Sequence, residues 1–583
     1  MENTTDPENI PVSKPKYPTI RRILSQTFRI LLLFSITTAY VLGYQALCHQ
    51  GLLITFGLYG AAMLLHLLMQ GIFANLEIRR IEKRDGVCSF KKTVALTITG
   101  YQENPDYLRQ CLESCKGMKY PKDKLKIILV IDGNNEEDVY MMEIFKEVFH
   151  GEDVGTYVWQ ENYHTWNIPS EESEDSSSEI SSFPWKNEGI QMVEELVRTK
   201  RCVCIMQQWG GKREVMYTAF RALGTSVDFI LVCNSDIKLD KMATVELVKV
   251  LEDDDKNGAV GGDVRVWNRR DSFISFMSSL RYWMVFNMEI ACQSYFDSVT
   301  YIRGSLGMYR NDILQAFLEF WYNKTFLGTR CPIGDDRFLT NRVLSMGYRT
   351  KYSHKSCAYA PCQYLRWLNQ QTPWARSYFR MWFCNAQWWH QHHIWMTYES
   401  ATGIFFPFFV TAVLIRLMYS SSLCNIVWLF LCIQIMSLLV SLYASWQSKK
   451  LSMVLMSLYS TLYIIWLLPC QLVALLTIAK SDWGTSGRKK VVNNYVPLFS
   501  LSIWAAVLLG GLCYSMYVGC RKDWSKPQAN RELYHLLYGC AGYMAYWVLM
   551  TVIYCVSGSC CKMRSQAVPQ THDITSLSVS LLV

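Results

Sequence analysis

The sequence predicts an α/β domain built on a mostly parallel sheet, inserted in a multi-span α-helical membrane domain with interfacial amphipathic helices. Three observations predict it. Half of the 583 residues are apolar, 14% are aromatic and only 18% are charged, which is too apolar for a soluble enzyme and too charged for a pure membrane bundle. Apolar runs long enough to cross a bilayer gather at the two ends of the chain. Between Lys91 and about Tyr398 no run is that long, and strand-like segments alternate with helical ones. The length leaves room for two to four domains.

Residues 1–27 read as a polar cytosolic tail, with Lys14, Lys16, Arg21 and Arg22 just before the first apolar run, Ile30 to Cys48. That run carries no small-residue cleavage signature and reads as an anchor. A second run, Gly51 to Ala74, is followed by Arg79, Arg80, Lys83 and Arg84. Basic flanks on both outer sides predict a two-span hairpin over 28–75 with its ends in the cytosol. The net charge of +9 is modest and sits beside apolar runs, so it speaks for membrane orientation and not for nucleic-acid binding.

A cytosolic domain is expected over 76–372. Its strand-like segments are Thr93–Thr99, Leu125–Asp132, Thr156–Trp159, Cys202–Gln207, Phe229–Cys233 and Ala259–Val266. Amphipathic stretches lie between them at Tyr107–Cys115, Glu137–Val148, Ile190–Thr199 and Ala243–Leu251. Pro169 to Ser182 is rich in Ser, Glu and Asp and has nothing to bury, so a surface loop is expected there. The 21 cysteines show no metal-binding spacing. Cys111 with Cys115, and Cys202 with Cys204, read as small buried residues in a reducing compartment.

Two aromatic-rich helical stretches follow, Met277–Phe296 and Trp374–Tyr398. The second is assigned to an interfacial helix over 373–400, with ordinary core helices as the alternative. Five further apolar runs make a C-terminal membrane domain over 401–558: Gly403–Met418, Ile426–Ala444, Leu455–Ile478, Leu498–Tyr517 and Leu536–Val556. If the run broken by Pro469 is re-entrant, the basic groups Arg488-Lys489-Lys490 and Lys562/Arg564 become cytosolic. Six spans are therefore favoured over seven. Arg416 inside an apolar run must face a protein-lined channel or snorkel. The tail, 559–583, opens on Cys560-Cys561, which are candidates for palmitoylation.

Chemistry gathers at strand ends. Phe229-Ile230-Leu231-Val232 reads as a buried strand that leaves Asn234 and Asp236 at its carboxyl edge, where ligands bind in open α/β sheets. A divalent metal on a nucleotide diphosphate wants anionic oxygens, and this edge offers one carboxylate and one amide. Val130-Ile131-Asp132-Gly133 places Asp132 to bond a nucleoside, although Asp-Gly after a strand is also an ordinary turn. Trp209-Gly210-Gly211-Lys212-Arg213 sets two cations behind a flexible pair, suited to a diphosphate or to solvent. Asp335 and Asp336 pair two carboxylates, as a source of a general base or as the first turn of a helix. Pro373 in Gln370-Gln371-Thr372-Pro373-Trp374 reads as a first-turn proline of an aromatic helix.

In this order, between membrane segments, the set resembles the processive family-2 glycosyltransferases, and among them the vertebrate hyaluronan synthases. The resemblance covers nearly the whole chain. It is carried by Gly100-Tyr101-Gln102-Glu103-Asn104-Pro105, Val130–Gly133, Gln208–Glu214, Cys233–Asp240, Gly261-Gly262-Asp263-Val264, Gly334–Arg337, Gln370–Trp374, Gln387–Ser400 and Trp483-Gly484-Thr485-Ser486-Gly487-Arg488. It implies a GT-A-type domain that binds UDP-GlcNAc and UDP-GlcA with Mg²⁺ or Mn²⁺, and a hyaluronan chain extruded through the protein's own channel. It also implies a multi-pass plasma-membrane protein, embedded in the lipid bilayer, with the glycosyltransferase domain in the cytosol. Residue by residue, Asp132 would hold the uridine with Tyr101 and Glu103 nearby, and Lys212 with Arg213 would meet the diphosphate. Asp236 would ligate the metal, and Asp336, with Asp335 beside it, would supply the base. Trp374 would stack on the acceptor sugar, and Trp483 to Arg488, within 480–490, would form a gating loop over the donor.

The sequence also departs from the family pattern. Asp-x-Asp is Asn234-Ser235-Asp236, and Gln-x-x-Arg-Trp ends in Pro373-Trp374. Ser-Gly-Pro-Leu-Gly is Arg303-Gly304-Ser305-Leu306-Gly307, and a Glu-Arg pair is Glu289-Ile290. Losing one preorganised donor at the leaving group costs roughly 3–4 kcal/mol of barrier. Proline has no charge and removes a backbone N–H. The amide at 234 costs about tenfold to a hundredfold if it acts only through ribose or metal-bound water. Arg303 puts a bulky cation beside the acceptor sugar. The expectation is a weak or inactive synthase-related protein with weakened metal binding. An active synthase despite altered motifs is one alternative. A non-catalytic membrane partner or regulator of an active synthase paralogue is the alternative of another class.

Overall fold

The computed structural model describes residues 52–83, 88–164, 188–326, 329–330, 334–360, 364–386, 388–389, 392–479, 495–521 and 527–566. The first predicted span (Ile30 to Cys48), the Ser/Glu/Asp-rich segment Pro169–Ser182 and the proposed gating loop with Trp483 and Arg488 lie outside these residues. The second predicted span begins helix α1, Leu52–Lys83.

The alternation of apolar strand and amphipathic helix produces the expected sheet. Its strands are β1 (Val94–Gly100), β2 (Leu125–Asp132), β3 (Val154–Val158), β4 (Cys202–Gln207), β5 (Phe229–Asn234), β6 (Lys238–Leu239), β7 (Asn257–Val266), β8 (Gly307–Arg310) and, after a two-stranded ribbon of β9 (Thr325–Phe326) and β10 (Thr329–Arg330), β11 (Arg349–Ala360). Nine of them form one sheet in the order β3-β4-β2-β1-β5-β8-β7-β11-β6. The first five are mutually parallel, β8 runs antiparallel to both its neighbours, and β11 is parallel to β7 and antiparallel to β6. The central strands are apolar throughout because helices cover both faces, so Ile127 to Ile131 and Phe229 to Cys233 are buried without alternation.

Those helices are α2 (Pro105–Lys116), α3 (Val139–Val148), α4 (Glu188–Thr199), α5 (Lys212–Leu223) and α6 (Ala243–Asp253). Asn104 caps α2, its side chain accepting from the Asp106 and Tyr107 N–H groups at 2.9 and 3.3 Å, with Pro105 in the first turn. Cys111, Cys115, Cys202 and Cys204 are buried free thiols.

Strand β11 was not legible in the sequence. Arg349–Ala360 carries Lys, His, Ser and Arg where an inner strand would be apolar, and it is tolerated because its register shifts between Ser353 and Cys357. The aromatic stretch predicted at 277–296 is α7 (Phe273–Met284), continued by a π-turn over Val285–Ile290 and a short helix over Ala291–Tyr295. Helix α8 (Asp335–Ser345) follows the ribbon.

The stretch Trp374–Tyr398 is not one helix. It divides between α9 (Tyr364–Ala386) and α10 (Ile394–Ser420). The reading of Pro373 as a first-turn proline is overturned, because α9 begins at Tyr364 and Pro373 lies in its interior. An interior proline leaves the carbonyl one turn back, at Asn369, without its helical donor and bends the helix.

The described residues gather into two compact units, one made of those within Leu65–Leu414 and Tyr463–Leu508, the other of 52–64, Ile415–Leu462 and those within 509–566. Among the described residues, five helical segments are long and apolar enough to cross a membrane: Ile394–Ser420, Leu423–Ser448, Leu451–Leu476, Leu498–Cys520 and Glu532–Cys555. The run containing Pro469 is broken into a 3₁₀ stretch (Leu451–Leu458), one α-turn (Tyr459–Leu462), a π-turn (Tyr463–Leu467) and a final helix (Leu468–Leu476). Arg416 lies on the exposed side of α10, and Cys560-Cys561 fall within the last helix, Pro527–Gln566.

Candidate functional site

Parallel pairing brings the predicted residues to one edge. Asp132 ends β2 opposite Gln207 of β4, and Asn234 ends β5 opposite Thr99 of β1. The strands share a direction, so their carboxyl ends and the turns that follow open on the same side of the sheet.

Asp132 is 4% exposed, and its Oδ1 accepts the N–H groups of Gly210 at 2.9 Å and Gly211 at 3.2 Å. Gly211 has φ +87°, which a side chain would strain. This is why the glycine pair precedes Lys212: the chain must fold over the end of β2 before α5 can start. Asp132, the residue that the resemblance assigned to the uridine, therefore anchors the basic turn with its Oδ1. Nearby, Tyr101 follows β1 half-buried, and Glu103 is buried, its carbonyl accepting the Tyr140 hydroxyl.

The two cations behind the glycines part company. Lys212 Nζ donates to Asn234 Oδ1 at 3.1 Å and lies 3.9 Å from Asp336 Oδ1. Burial would lower its pKa, but the carboxylates of Asp336, Asp335 and Asp236 outweigh that and hold it raised. Arg213 turns into the core, where its guanidinium meets Asp335 at 2.7 Å and reaches the carbonyls of Tyr322 and Lys324 at 3.4 Å. Burial pushes the Asp335 carboxyl up against the pull of Arg213. Arg213 and Asp335 thus satisfy each other, and this leaves Lys212 and Asp336 as the pair at the open edge.

The turn after β5 is pinned by Ser235, whose hydroxyl donates to the Thr99 carbonyl at 2.8 Å, so Asp236 is presented half-buried beside it. Among the described residues no group of three or more His, Cys, Asp or Glu could hold a metal ion. Asn234 contributes an amide oxygen that already takes Lys212, which leaves Asp236 as the carboxylate of this turn. One carboxylate plus substrate phosphates is the lean end of what Mg²⁺ accepts.

Asp336 sits in the first turn of α8, after Gly334 at φ +91°. Its Oδ2 accepts the Gly304 N–H at 2.9 Å. A Cβ on Gly304 would come within 2.7 Å of the same carboxylate, so this loop can approach only as glycine. Arg303, the preceding residue, places its guanidinium carbon 4.6 Å from the Tyr282 ring centre, 4.9 Å from Phe286 and 5.8 Å from Tyr301. Ser305 and Ile290 are buried, and Glu289, next to Ile290, pairs with Arg281.

Helix α9 packs onto this corner. A Cβ on Gly334 would lie 2.2 Å from Ser377 Oγ, so Ser377 faces the start of α8. Pro373 is one turn before Ser377 on the same helical face, and it is buried, with Trp374 half-buried beside it. The orientation of α9 is held by Arg376, which donates to Thr477 Oγ1 at 3.0 Å, and by Arg380, which donates to the Ile478 carbonyl at 2.7 Å. Position 373 thus lies one helical turn from the residue that meets Gly334, and it carries neither charge nor N–H.

Sequence reasoning placed Gly304 in an altered motif without its bond to Asp336, and it missed Tyr301, Ser377 and the clamp made by Arg376 and Arg380, whose sequence signal was arginines in an aromatic helix.

A family model described as chitin synthase matches residues 215–382. Hyaluronan synthase 1 of Xenopus laevis is 65% identical over 577 residues, covering 98% of this chain and 98% of its own. Hyaluronan synthase 2 of Mus musculus and that of Homo sapiens are each 48% identical over 559 residues, covering 95% of this chain and 98% of their own. A solved mannosyltransferase from Pyrobaculum calidifontis, in complex with GDP-Man and Mn²⁺, covers 70% of this chain and 98% of its own at a TM-score of 0.40 and 14% identity. That likeness is too remote to carry weight.

The buried pair yields a prediction. Asp335→Ala strands the Arg213 charge and lowers stability by about 3–5 kcal/mol, read as a fall in the thermal midpoint of the purified full-length protein. Removing both charges with Arg213→Met and Asp335→Leu costs less than the single change. Equal losses would mean that the pair is not coupled.

Proposed function

The chain belongs to the hyaluronan synthase family, and from that premise we propose that it is a membrane-embedded glycosyltransferase that keeps its donor site and makes little or no polymer. The observation that carries this reading is Pro373, buried in the interior of α9 on the face that meets Gly334. In the family pattern that position holds the arginine of Gln-x-x-Arg-Trp, a charge beside the departing diphosphate.

The donor is a UDP-sugar, UDP-GlcNAc or UDP-GlcA. Lys212 meets its diphosphate from behind the Gly210-Gly211 turn, which Asp132 fixes. A divalent cation, Mg²⁺ or Mn²⁺, would be held by Asp236 and the donor's own phosphate oxygens, neutralising part of the diphosphate charge. With Asn234 beside it, that hold is weak.

Asp336 accepts the proton of the acceptor hydroxyl on Oδ1, the oxygen near Lys212, while Oδ2 stays on the Gly304 N–H. The hydroxyl oxygen bonds to the sugar's anomeric carbon, and the bond to the diphosphate breaks. Charge then builds on UDP, where Lys212 faces it without a second fixed cation from α9. Missing one such group costs roughly 3–4 kcal/mol of barrier. Trp374 still offers a ring for an acceptor sugar.

The sheet domain is assigned to the cytosol by the basic flanks of the first two apolar runs, with the plasma membrane as the compartment. The domain boundaries read from the sequence are kept as part of this proposal, with the interfacial helix moved back to begin at Tyr364.

Membrane vesicles containing the full chain, given both UDP-sugars and Mn²⁺, are expected to release UDP slowly and to accumulate little hyaluronidase-sensitive polymer. Abundant polymer from the unaltered chain would reject the reading. Asn234→Asp, Arg303→Ser and Pro373→Arg together are expected to raise UDP release by at least about a hundredfold. A folded triple variant that stays silent would put the deficit outside these three positions.

A further inference from the structure

The chain leaves β7 through a turn, Trp267-Asn268-Arg269-Arg270-Asp271-Ser272, and enters α7 at Phe273. This is the one place in the sequence where two adjacent arginines stand three and two residues before a serine or threonine. The Asp271 N–H closes the turn by donating to the Asn268 carbonyl at 3.1 Å. Arg270, Asp271 and Ser272 are exposed, and Arg269 is half-buried. Among the described residues neither arginine of the turn makes an ion pair, whereas Arg265 just before it is held by Asp263. Phe273, which follows the serine, is 45% exposed.

Ser272 has the backbone of a residue that another protein can take up. Its φ of −153° and ψ of 161° are extended, so the segment needs no rewinding to lie along a partner's groove. Its hydroxyl is engaged locally, accepting the Ser275 N–H at 3.1 Å and sharing a bond with the Ser275 hydroxyl at 2.9 Å. Opening one helical turn releases it. The two guanidinium groups call for carboxylates, which they meet in two-point, charge-assisted hydrogen bonds. An acidic groove would be steered to this turn and would settle its register.

We propose that Ser272 is a phosphorylation site for a serine kinase that selects basic residues three and two positions before its target, and that the phosphate tightens the start of α7. Ser272 Oγ attacks the γ-phosphorus of Mg²⁺-bound ATP. A new O–P bond forms, the bond to the ADP oxygen breaks, and the hydroxyl proton passes to the kinase's base. The product carries a charge of about −1.5 to −2 and three acceptor oxygens. It stands at the positive end of a 12-residue helix, where the N–H groups of the first turn donate to an anion. Arg269 and Arg270 of the same turn favour it, and Asp271 opposes it with one charge against their two. Helix α7 also carries Tyr282, one of the rings on which Arg303 packs, so the modified residue starts the helix that seats that altered position. The proposal rests on the assignment of the sheet domain to the cytosol, where ATP is available, and not on its glycosyltransferase chemistry.

The test treats the full-length protein in nanodiscs with Mg-ATP and a kinase of this preference, the catalytic subunit of the cyclic-AMP-dependent protein kinase, and locates phosphate by fragment mass spectrometry. Phosphate at Ser272 is expected. Arg269→Gln and Arg270→Gln are each expected to slow its incorporation at least about tenfold, the loss of one charge-assisted contact. Ser272→Asn, which keeps a capping side chain, is expected to leave this peptide unlabelled. Phosphorylation is expected to slow hydrogen exchange of the Ser275 and Phe276 amides about threefold. An unlabelled Ser272 in the unaltered chain would overturn the proposal, as would equal rates in the arginine variants. Unchanged or faster exchange would overturn its second half. In sealed vesicles, labelling from the extracellular face alone would overturn the cytosolic assignment and the proposal with it. UDP release is read on the same sample, and its absence beside a labelled Ser272 would count against the proposed function alone.

Discussion

The site depends on one close approach, that of Gly334 to Ser377. A glycine at φ +91° with a serine hydroxyl 2.2 Å from where a Cβ would stand lets α9 lie directly on the first turn of α8. Asp336 owes its place to that turn, and Pro373 and Trp374 owe theirs to the helix laid across it. A second glycine contact, Gly304 against the Asp336 carboxylate, closes the corner from the β8 side. The second also supplies a charge-assisted hydrogen bond, from the Gly304 N–H to Asp336 Oδ2 at 2.9 Å. Each removes the side chain that would keep two backbones apart.

Around that corner, charge is distributed by pairing. Arg213 and Asp335 neutralise each other in the core, so Lys212 and Asp336 are left as the pair at the open edge of the sheet. Asn234 changes this balance in a way that composition alone does not reveal. An amide there still accepts from Lys212 at 3.1 Å, so the lysine stays in place while the anion beside the metal position is lost. Pro373 is a different kind of change, because it removes a cation and a helical N–H together. Arg303 adds a cation packed on the rings of Tyr282, Phe286 and Tyr301, one residue before the Gly304 whose N–H reaches the same carboxylate.

The strands were legible because burial on both faces imposes continuous apolar runs, and β2 and β4 match their expected limits, Leu125–Asp132 and Cys202–Gln207. The order of motifs identified the family because the set, taken in sequence, is far more specific than any one of its members. Strand β11 escaped because its polar residues fit a shifted register. The interior placement of Pro373 escaped because proline is commonest in a first turn, and nothing local in Tyr364–Thr372 announces a helix already under way.

Sequence alone determined the alternation of elements, the membrane segments and the residue types at the strand ends, because periodicity and apolar length are local properties of a chain. The tertiary structure decided which of two adjacent cations is buried in an ion pair, which of two adjacent carboxylates meets that cation, and what Arg303 touches. Those outcomes depend on residues 22 and 122 positions apart, Lys212 with Asn234 and Arg213 with Asp335, and only packing brings such distant groups within hydrogen-bonding distance.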